Sequence, residues 1–306
     1  MPSRRLGRSL GINNIPPKVC SYSCIYCQVG ATLARTVRPR SFYPPERIAD
    51  EVAARVHRLE GRGERVDALT FVPDGEPTLD VGLGRTIALL RPLGIRIAVI
   101  SNGTLLDRAD VREALRGADW VSVKVDAADA ATWRQVNRPD PHLDLAAVQA
   151  GLARFAQEYG GQLVSETMLV RDVNDSAESV RGVGEVLRDA GIATAYLAIP
   201  TRPTPVASGM PPTEDAVHRA YQLLRDYVPS VELLIGYEGD EFASSGDARA
   251  DLLSIVAVHP MRRSAVSALL RRSGAGWEVV EDLQARGLLV EVGYEGERYY
   301  VRRFRR

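Results

Sequence analysis

All three cysteines of the 306-residue chain fall within eight consecutive residues. They are Cys20, Cys24 and Cys27, separated by three and by two residues. Thiolate sulfur is a soft ligand that suits iron, and three clustered thiolates can hold three corners of a cubic [4Fe–4S] cluster. Such a cluster leaves one iron without a protein ligand, and an open metal position can take a substrate or cosubstrate. The spacing therefore predicts an iron–sulfur centre with a catalytic role.

Two other interpretations of these cysteines are open. The thiols could form a structural zinc site, or they could be unrelated buried side chains. Zinc in structural sites usually takes four protein ligands, and no histidine follows the cysteines at a useful distance. The spacing favours the iron–sulfur interpretation over both alternatives.

The cysteine spacing, with the aromatic Tyr26 directly before Cys27, resembles the radical S-adenosylmethionine (SAM) superfamily. In that family the amino and carboxylate groups of SAM chelate the open iron. An electron from the cluster then cleaves the sulfonium, usually giving a 5′-deoxyadenosyl radical. The resemblance implies an enzyme with a [4Fe–4S] cluster and SAM as cofactors, Tyr26 beside them, and a one-electron donor such as flavodoxin or ferredoxin as partner.

Two motifs that follow predicted strands fit the same family. Residues 73–77 (PDGEP) resemble its Gly-Gly-Glu-Pro motif, with Asp in place of the first Gly. There the resemblance implies that Gly75 allows close backbone approach and that Glu76 accepts hydrogen bonds from the SAM ammonium. Ser101 and Asn102 begin a Ser-Asn-Gly-Thr stretch that resembles a SAM-adjacent motif. Ordinary glycine turns are the alternative for both stretches.

Further candidate ligand groups lie on two later strands. Lys124, one of only two lysines in the chain, and Asp126 alternate with valines, so both side chains point to the same face of a strand. By resemblance the pair would contact the SAM ribose or carboxylate, and a buried Lys–Asp pair is the alternative. Either Ser165 or Glu166 would contact the SAM ribose, because a one-residue register shift exchanges the two faces. We favour Glu166.

These groups need a scaffold of parallel strands, whose carboxyl ends gather ligand residues at one edge. Short apolar runs alternate with helical patterns, which predicts a parallel sheet with crossover helices. Six such units are too few for a closed eight-stranded barrel. The family resemblance implies an α/β fold with a partial (β/α)6 radical SAM barrel. The predicted strands are 6–15, 66–72, 95–100, 119–125, 162–170, 192–199 and 231–237. The predicted helices of this part run from Pro45 to about Leu59 and over 82–92, 107–116, 129–136, 144–158, 176–190 and 214–227.

A second, smaller domain is predicted at the C-terminus. The barrel would occupy 1–240, and a small polar stretch at 239–250 would mark the boundary. Residues 251–306 show three helical patterns, at 251–257, 261–272 and 277–286, and then a hairpin pattern around Glu295-Gly296. Three helices followed by a hairpin are typical of a winged-helix domain. An extended loop is predicted at 200–212, which is rich in proline.

The net charge of the chain is zero, but the charges are unevenly distributed. Residues 1–45 carry seven Lys or Arg and no acid, and residues 261–306 carry ten Arg against six acids. This polarity fits an anionic partner such as tRNA, or simply a solvated surface. The arginines that would face a phosphate backbone are Arg262, Arg263, Arg271, Arg272, Arg298, Arg302 and Arg303.

Composition and hydropathy indicate in which cellular compartment the protein is expected. A hydrophobic content of 45% suffices for a large core. No apolar run approaches the roughly 18 residues of a membrane span, and the basic N-terminus lacks the apolar segment of a signal peptide. Three clustered cysteines suit a reducing compartment, so we expect a cytoplasmic protein without membrane contact.

Residues 5–305 as a whole resemble a single-cluster radical SAM subgroup labelled as related to the wyosine tRNA synthase. That activity itself is not expected, because no cysteines remain for a second cluster and Lys124 is assigned to SAM. The prediction is a radical SAM enzyme acting on an unidentified substrate, such as tRNA or another anionic molecule. Two alternatives are an activase that installs a glycyl radical on a partner protein and a non-enzymatic iron–sulfur sensor that binds DNA.

Overall fold

A computed structural model of the chain describes residues 2–201, 210–235, 242, 244–258, 260–294 and 296–302. Most of the Pro-rich segment, the first part of the predicted domain boundary, the turn residue Glu295 and Arg303 lie outside these ranges. Expectations that concern those positions stay predictions.

The described strands and helices follow the predicted alternation closely. The strands are β1 (Pro2–Ser3), β2 (Gly7–Ile12), β3 (Val19–Cys20), β4 (Ala34–Arg35), β5 (Ala68–Phe71), β6 (Arg96–Ser101), β7 (Trp120–Lys124), β8 (Gln162–Met168), β9 (Thr194–Ala198), β10 (Ser230–Leu234), β11 (Met261–Arg262), β12 (Leu289–Tyr294) and β13 (Glu297–Arg302). The helices are α1 (Pro45–Glu60), α2 (Leu83–Leu90), α3 (Ala109–Arg116), α4 (Ala130–Val136), α5 (Leu145–Glu158), α6 (Ala177–Asp189), α7 (Glu214–Leu224), α8 (Ala248–Val258), α9 (Arg263–Arg272) and α10 (Glu278–Ala285). Short 3-10 turns cover Pro77–Leu79 and Arg91–Leu93.

The main sheet has the strand order β1-β2-β5-β6-β7-β8-β9-β10. β1 pairs antiparallel with β2, and the seven strands from β2 to β10 pair in parallel. Helices connect successive parallel strands, as parallel pairing requires. This mixed α/β half-barrel confirms the predicted partial (β/α)6 fold.

The sheet separates a helix-covered outer face from an inner face. On β7, Val121 and Val123 point outward into the large core that the helices cover, whereas Trp120 points inward. The inner face is partly filled from the N-terminus, because Leu6 belongs to a small inner cluster that also contains Trp120 and Tyr196. The turn between β1 and β2 therefore closes part of the half-barrel, a feature that the sequence analysis does not predict.

Local chemistry explains where several helices begin. Pro45 lies in the first turn of α1, where a missing N–H costs nothing. Asp144 accepts a hydrogen bond from the Ala147 N–H at 3.0 Å, and Ser176 accepts one from the Ser179 N–H at 3.1 Å. These side chains satisfy amide groups that the helices α5 and α6 leave unpaired at their starts.

The C-terminal unit has a core of its own and a three-stranded sheet of order β11-β13-β12. One prediction is wrong in detail: the expected helix over 261–272 begins only after the short strand β11. Met261 is fully buried and pairs with Tyr300 of β13, and this tertiary pairing overrides local helix propensity. The element order matches a winged helix, and that assignment stays a prediction.

Contacts between the C-terminal unit and the half-barrel include an ion pair and a hydrogen bond. Arg55 of α1 forms an ion pair with Asp251 of α8, whose side chain is fully buried. Tyr299 of β13 donates to the Thr201 carbonyl at 3.5 Å, just beyond β9. Among the described residues, no helix is long and apolar enough to span a membrane.

Candidate active site

The cysteine loop lies between β2 and α1, at the edge where the parallel strands end. Cys20 ends β3, which pairs with β4, so that Cys20 stands opposite Arg35. The loop is then held down on α4: the Ser23 N–H donates to the Asn137 carbonyl and the Ile25 N–H to the Val136 carbonyl, both at 3.0 Å. The barrel therefore fixes the backbone of the loop on both sides of Cys24.

Side-chain amides from two different loops point at the cysteine sulfurs. Asn102, directly after β6, places Nδ2 3.6 Å from the Cys20 Sγ. Asn137, directly after α4, places Nδ2 3.4 Å from the Cys24 Sγ. Cys20 Sγ also accepts from the Tyr22 backbone N–H at 3.4 Å. Donors aimed at sulfur suit thiolates, which carry the charge that a metal centre requires.

The thiols are buried, and burial raises their pKa values. The pKa of Cys24 rises to about 12, chiefly by burial and then by the nearby Asp126 charge. Burial is also the main cause that raises the pKa values of Cys20 and Cys27. A soft metal is what deprotonates such thiols at neutral pH.

The donor set fits a [4Fe–4S] cluster. Within the described residues, no three His, Cys, Asp or Glu side chains converge on one metal ion. The cysteines of a cubic cluster bind different irons at separate corners, so their sulfurs need not converge on one point. In agreement with this, the sulfurs of Cys20 and Cys24 face different amides, those of Asn102 and Asn137. Three cysteines can hold three of those corners and leave one iron open.

The Asn137 contact leads to a first prediction. Asn137→Ala should make the reduction potential of the cluster more negative, because an N–H donor stabilises the extra electron on the reduced cluster. An anaerobic titration followed by electron paramagnetic resonance measures this shift. Gln149→Ala is the control, since its amide donates to the Ala128 carbonyl at 3.1 Å. Equal potentials in both variants would show that the Asn137 contact has no electronic role.

Glu76 is the centre of a buried hydrogen-bond network between two loops. Its side chain is almost fully buried, and it accepts from the Thr78 N–H and hydroxyl at 3.1 and 2.6 Å. It also accepts from the Ser101 hydroxyl and the Asn102 N–H, both at 2.7 Å. Glu76 therefore joins the loop after β5 to the loop after β6 and fixes the backbone of Asn102.

Gly75 is needed for close packing of the loops themselves. A Cβ at this position would lie 2.0 Å from the Val19 carbonyl oxygen. The neighbouring Glu76 N–H donates to that same carbonyl at 3.0 Å. The glycine therefore lets the loop after β5 approach the backbone beside Cys20. The close approach expected at Gly75 exists, and its partner in the structure is the cysteine loop.

The network around Glu76 gives a second prediction. Glu76→Ala should weaken SAM binding by about 1.5 to 3 kcal/mol, the range of a hydrogen bond to a charged group. The iron content should be retained. Glu76→Gln, which keeps one acceptor oxygen, should lose less affinity in the same calorimetric titration. If iron and SAM affinity disappear together, Glu76 serves the cluster loop and not SAM.

Asp126 joins the aromatic residue of the cysteine loop to the barrel. It accepts from the Tyr26 hydroxyl, from Asn137 Nδ2 at 2.7 Å and from the Met168 N–H at 2.8 Å. Burial raises its pKa, and Lys124 and these donors oppose that shift. Asp126 thus positions both Tyr26 and the amide that faces Cys24.

Lys124 and Glu166 form part of a buried charge cluster on the inner face. The register places Lys124 opposite Glu166, so Glu166 and not Ser165 shares the face of the lysine. Glu166 binds both the Lys124 ammonium and the Arg5 guanidinium. Arg5 also lies over the rings of Trp120 and Tyr196, at 5.5 and 5.4 Å. The Lys124 ammonium lies 5.3 Å from the centre of the Tyr26 ring, which connects this cluster to the cysteine loop.

The structure brings every predicted site residue to one edge of the sheet or to the inner face below it. Sequence reasoning did not assign roles to Arg5 and Asn137. Arg5 is one of several N-terminal basic residues, and nothing local distinguishes it. Asn137 begins an Asn-Arg-Pro stretch, which an ordinary turn would also explain.

A sequence model described as the radical SAM superfamily matches residues 14–181 of the chain, which include the cysteine loop and the parallel strands β5 to β8 of the main sheet. The chain belongs to the radical SAM superfamily. The cofactors of this superfamily are a [4Fe–4S] cluster and SAM, as the cysteine spacing predicts.

Sequence similarity to one relative extends well beyond residues 14–181. A UPF0026 protein of Methanocaldococcus jannaschii is 38% identical over 304 residues, covering 99% of this chain and 94% of that protein. A probable GTP 3′,8-cyclase of Methanothermobacter marburgensis is 27% identical over 177 residues, covering 55% of this chain and 53% of the cyclase. The chain therefore shares nearly its whole length with a UPF0026 protein.

Solved structures share the fold at low sequence identity. A radical SAM methyltransferase from Sphaerobacter thermophilus superposes with a TM-score of 0.56 at 18% identity, covering 78% of this chain and 69% of the other. A structure of TYW1 with a lysine-pyruvate adduct bound superposes with a TM-score of 0.52 at 16% identity, covering 72% and 74%. These similarities concern the fold alone.

Proposed function

We propose that the chain is a radical SAM enzyme whose cluster is held by Cys20, Cys24 and Cys27. The observation that carries the proposal is the pair of amides from Asn102 and Asn137, which face two of these sulfurs at the end of a parallel half-barrel. When bound, the cluster supplies the electron that cleaves SAM. The experiment is anaerobic reconstitution with iron and sulfide, then dithionite with SAM. Release of 5′-deoxyadenosine is expected, and its absence would contradict the proposal.

The protein groups around SAM would have separate tasks. The Lys124 ammonium and the Arg5 guanidinium, which share Glu166 as partner, are the cations that would attract the carboxylate of SAM. Ser101 and Asn102 both donate hydrogen bonds to Glu76. The Tyr26 hydroxyl donates to Asp126, which fixes the orientation of the tyrosine ring. The buried position of these groups would limit water access near the cleaved bond.

The substrate in this proposal carries an anionic group. The uneven charge of the chain supports this, since its first 45 residues carry seven basic residues and no acid. The similarity to a probable GTP 3′,8-cyclase over about half of the chain fits an anionic small molecule. The comparisons give no support to the glycyl-radical activase or to the DNA-binding sensor.

Contacts within the C-terminal unit weigh against a phosphate backbone as the main partner. Several of its arginines already contact protein groups. These contacts are Arg262 with Tyr299, Arg263 with Trp277, Arg272 with the Phe242 carbonyl, and Arg298 with Glu291. The full chain is therefore expected to bind tRNA weakly. Tight binding that falls steeply between about 50 and 200 mM salt would restore a nucleic acid as substrate.

A further inference from the structure

The cluster proposed for Cys20, Cys24 and Cys27 needs an electron from outside the chain. These three are all the cysteines in the sequence, so none is left to bind a second iron–sulfur cluster that could hold the electron. An external donor must therefore come close to the cysteine loop, because electron transfer between proteins slows steeply with distance. The surface over this loop decides which kind of donor can do so.

The segment 32–36 contacts the cysteine loop directly. The Thr32 hydroxyl donates to the Tyr22 carbonyl at 2.5 Å. Further along, the Thr36 N–H donates to the Cys20 carbonyl at 3.0 Å. The segment therefore runs alongside the first cysteine and the residues that follow it, and its exposed side chains form the outer surface of the proposed cluster site.

Two arginines meet on this outer surface. Arg35 is paired with Cys20 in the ladder of β3 and β4, and its Nη1 donates to the Arg138 carbonyl at 3.4 Å. The same carbonyl accepts from the Ser23 N–H at 3.2 Å, within the cysteine loop. Both arginine side chains are exposed. The backbone thus fixes two exposed cations on opposite sides of the loop.

Arg38 adds a third exposed cation to the same segment. Its N–H donates to Thr36 Oγ1 at 3.1 Å, which holds it two residues beyond the contact with Cys20. We call Arg35, Arg38 and Arg138 together the arginine surface.

The charge of the arginine surface is not neutralised by neighbouring acids. In the described part of the chain, none of its three arginines forms an ion pair, and residues 1–45 contain no acid. The charge of Arg35 also acts on Asp140. That carboxyl is only 6% exposed, however, and already contacts His142 at 2.8 Å. The arginine surface is therefore open to the carboxylates of a partner.

We propose that the arginine surface docks a small acidic electron-carrier protein, such as a flavodoxin or a ferredoxin, which reduces the cluster. This inference rests on the proposed function and names the docking site of its electron donor. The donor loses one electron and the cluster gains it, and no bond is formed or broken. Opposite charges steer such partners together and raise association rates by about 10- to 1,000-fold. Electron-transfer complexes are small and transient, so a few arginines beside the cysteines are enough.

The arginine surface fits an acidic protein better than a nucleic acid. Proteins that bind nucleic acids with a steep salt dependence contact about 6 to 10 phosphates, and this surface has three arginines. Its arginines also contact the cysteine loop itself, which is where the electron must arrive. Carboxylates of an acidic protein can bind each guanidinium in a bidentate manner.

The test mixes photoreduced flavodoxin with the oxidised, cluster-loaded full chain and follows the absorbance of flavin and cluster by stopped flow. Arg35→Gln/Arg138→Gln should lower the second-order rate constant of reduction about tenfold at low salt. The difference should largely disappear at about 1 M salt, where charges act over only about 3 Å. Arg154→Gln/Arg219→Gln is the matched control, because both arginines are exposed on α5 and α7. Equal rates in the two double variants would overturn the proposal, as would a wild-type cluster that flavodoxin does not reduce.

Binding without electron transfer gives a second readout. Oxidised flavodoxin should bind the wild-type chain in a calorimetric titration at low salt, and Arg35→Gln/Arg138→Gln should weaken this binding about tenfold. An unchanged affinity would contradict the docking site. If the double variant instead loses tRNA binding and keeps the flavodoxin rate, the surface binds nucleic acid and the proposal is wrong.

A small reductant separates this inference from the proposed function. Dithionite needs no docking surface, so the ratio of the flavodoxin rate to the dithionite rate corrects each variant for changes in the cluster itself. SAM cleavage by the wild-type chain with dithionite reports the proposed function. Cleavage with dithionite, together with equal rate ratios in both double variants, would remove only the docking site.

Discussion

Replacing any one of Cys20, Cys24 and Cys27 by alanine should abolish reductive cleavage of SAM. Each thiolate holds one iron of the cube, and a cluster with two protein ligands loses its geometry and its open iron. The wild-type chain should take up about four irons on anaerobic reconstitution. Iron assays, the visible absorption of the cluster and chromatography of the SAM products measure the outcome.

Leu33→Ala is the control for this prediction. Leu33 lies in the same loop, is 65% exposed and should tolerate truncation. It should therefore keep iron content and SAM cleavage close to the wild-type values. A triple cysteine variant that retained a brown chromophore would show that other residues bind the iron.

Replacing Glu166 by alanine should lower the free energy of unfolding by about 3 to 5 kcal/mol, because it leaves two buried cations without their counter-ion. Glu166 is the shared partner of Lys124 and Arg5, and all three side chains are largely buried. Denaturant unfolding of wild type and variant measures the loss. Mutual repulsion of the remaining charges should displace the turn that carries Arg5.

Glu158→Ala is the matched control. Glu158 also bridges two arginines, Arg112 at 3.0 Å and Arg116 at 3.3 Å, but it lies near the surface. Solvent screens the exposed Arg116 pair, and Arg112, although buried, keeps its hydrogen bonds to the Leu106 and Asp107 carbonyls. The loss of stability should therefore be much smaller than for Glu166→Ala. Equal losses would show that burial does not decide the contribution of Glu166.

The pH dependence of stability provides an independent test of Glu166. Although burial raises the pKa of this group, Lys124 and Arg5 outweigh burial and lower it from 4.5 to about 2. A carboxyl with a lowered pKa in the folded state stabilises the protein above its unfolded pKa. That contribution should be lost as the pH falls from 4.5 towards 2. Glu166→Gln should remove this part of the pH profile.

The iron–sulfur chemistry and the barrel were predictable from the residue pattern alone. The proposed cluster ligands are three cysteines within one loop, and their spacing is visible without a fold. Successive side chains of a strand point to opposite faces of the sheet, so Lys124 of β7 points inward where Val123 points outward. Helices and strands of the barrel were also predictable, because apolar periodicity and start signals such as Pro45 are local.

The pairing of the charged groups, in contrast, depends on how the chain folds in three dimensions. Arg5 and Glu166 are 161 positions apart in sequence and form an ion pair because the turn after β1 enters the half-barrel. Tyr26 meets Asp126 because the cysteine loop folds back onto α4. Side-chain pairs of this kind have no periodicity along the chain. Their partners are set by strand order and register, which bring distant segments within hydrogen-bond range only after the sheet has formed.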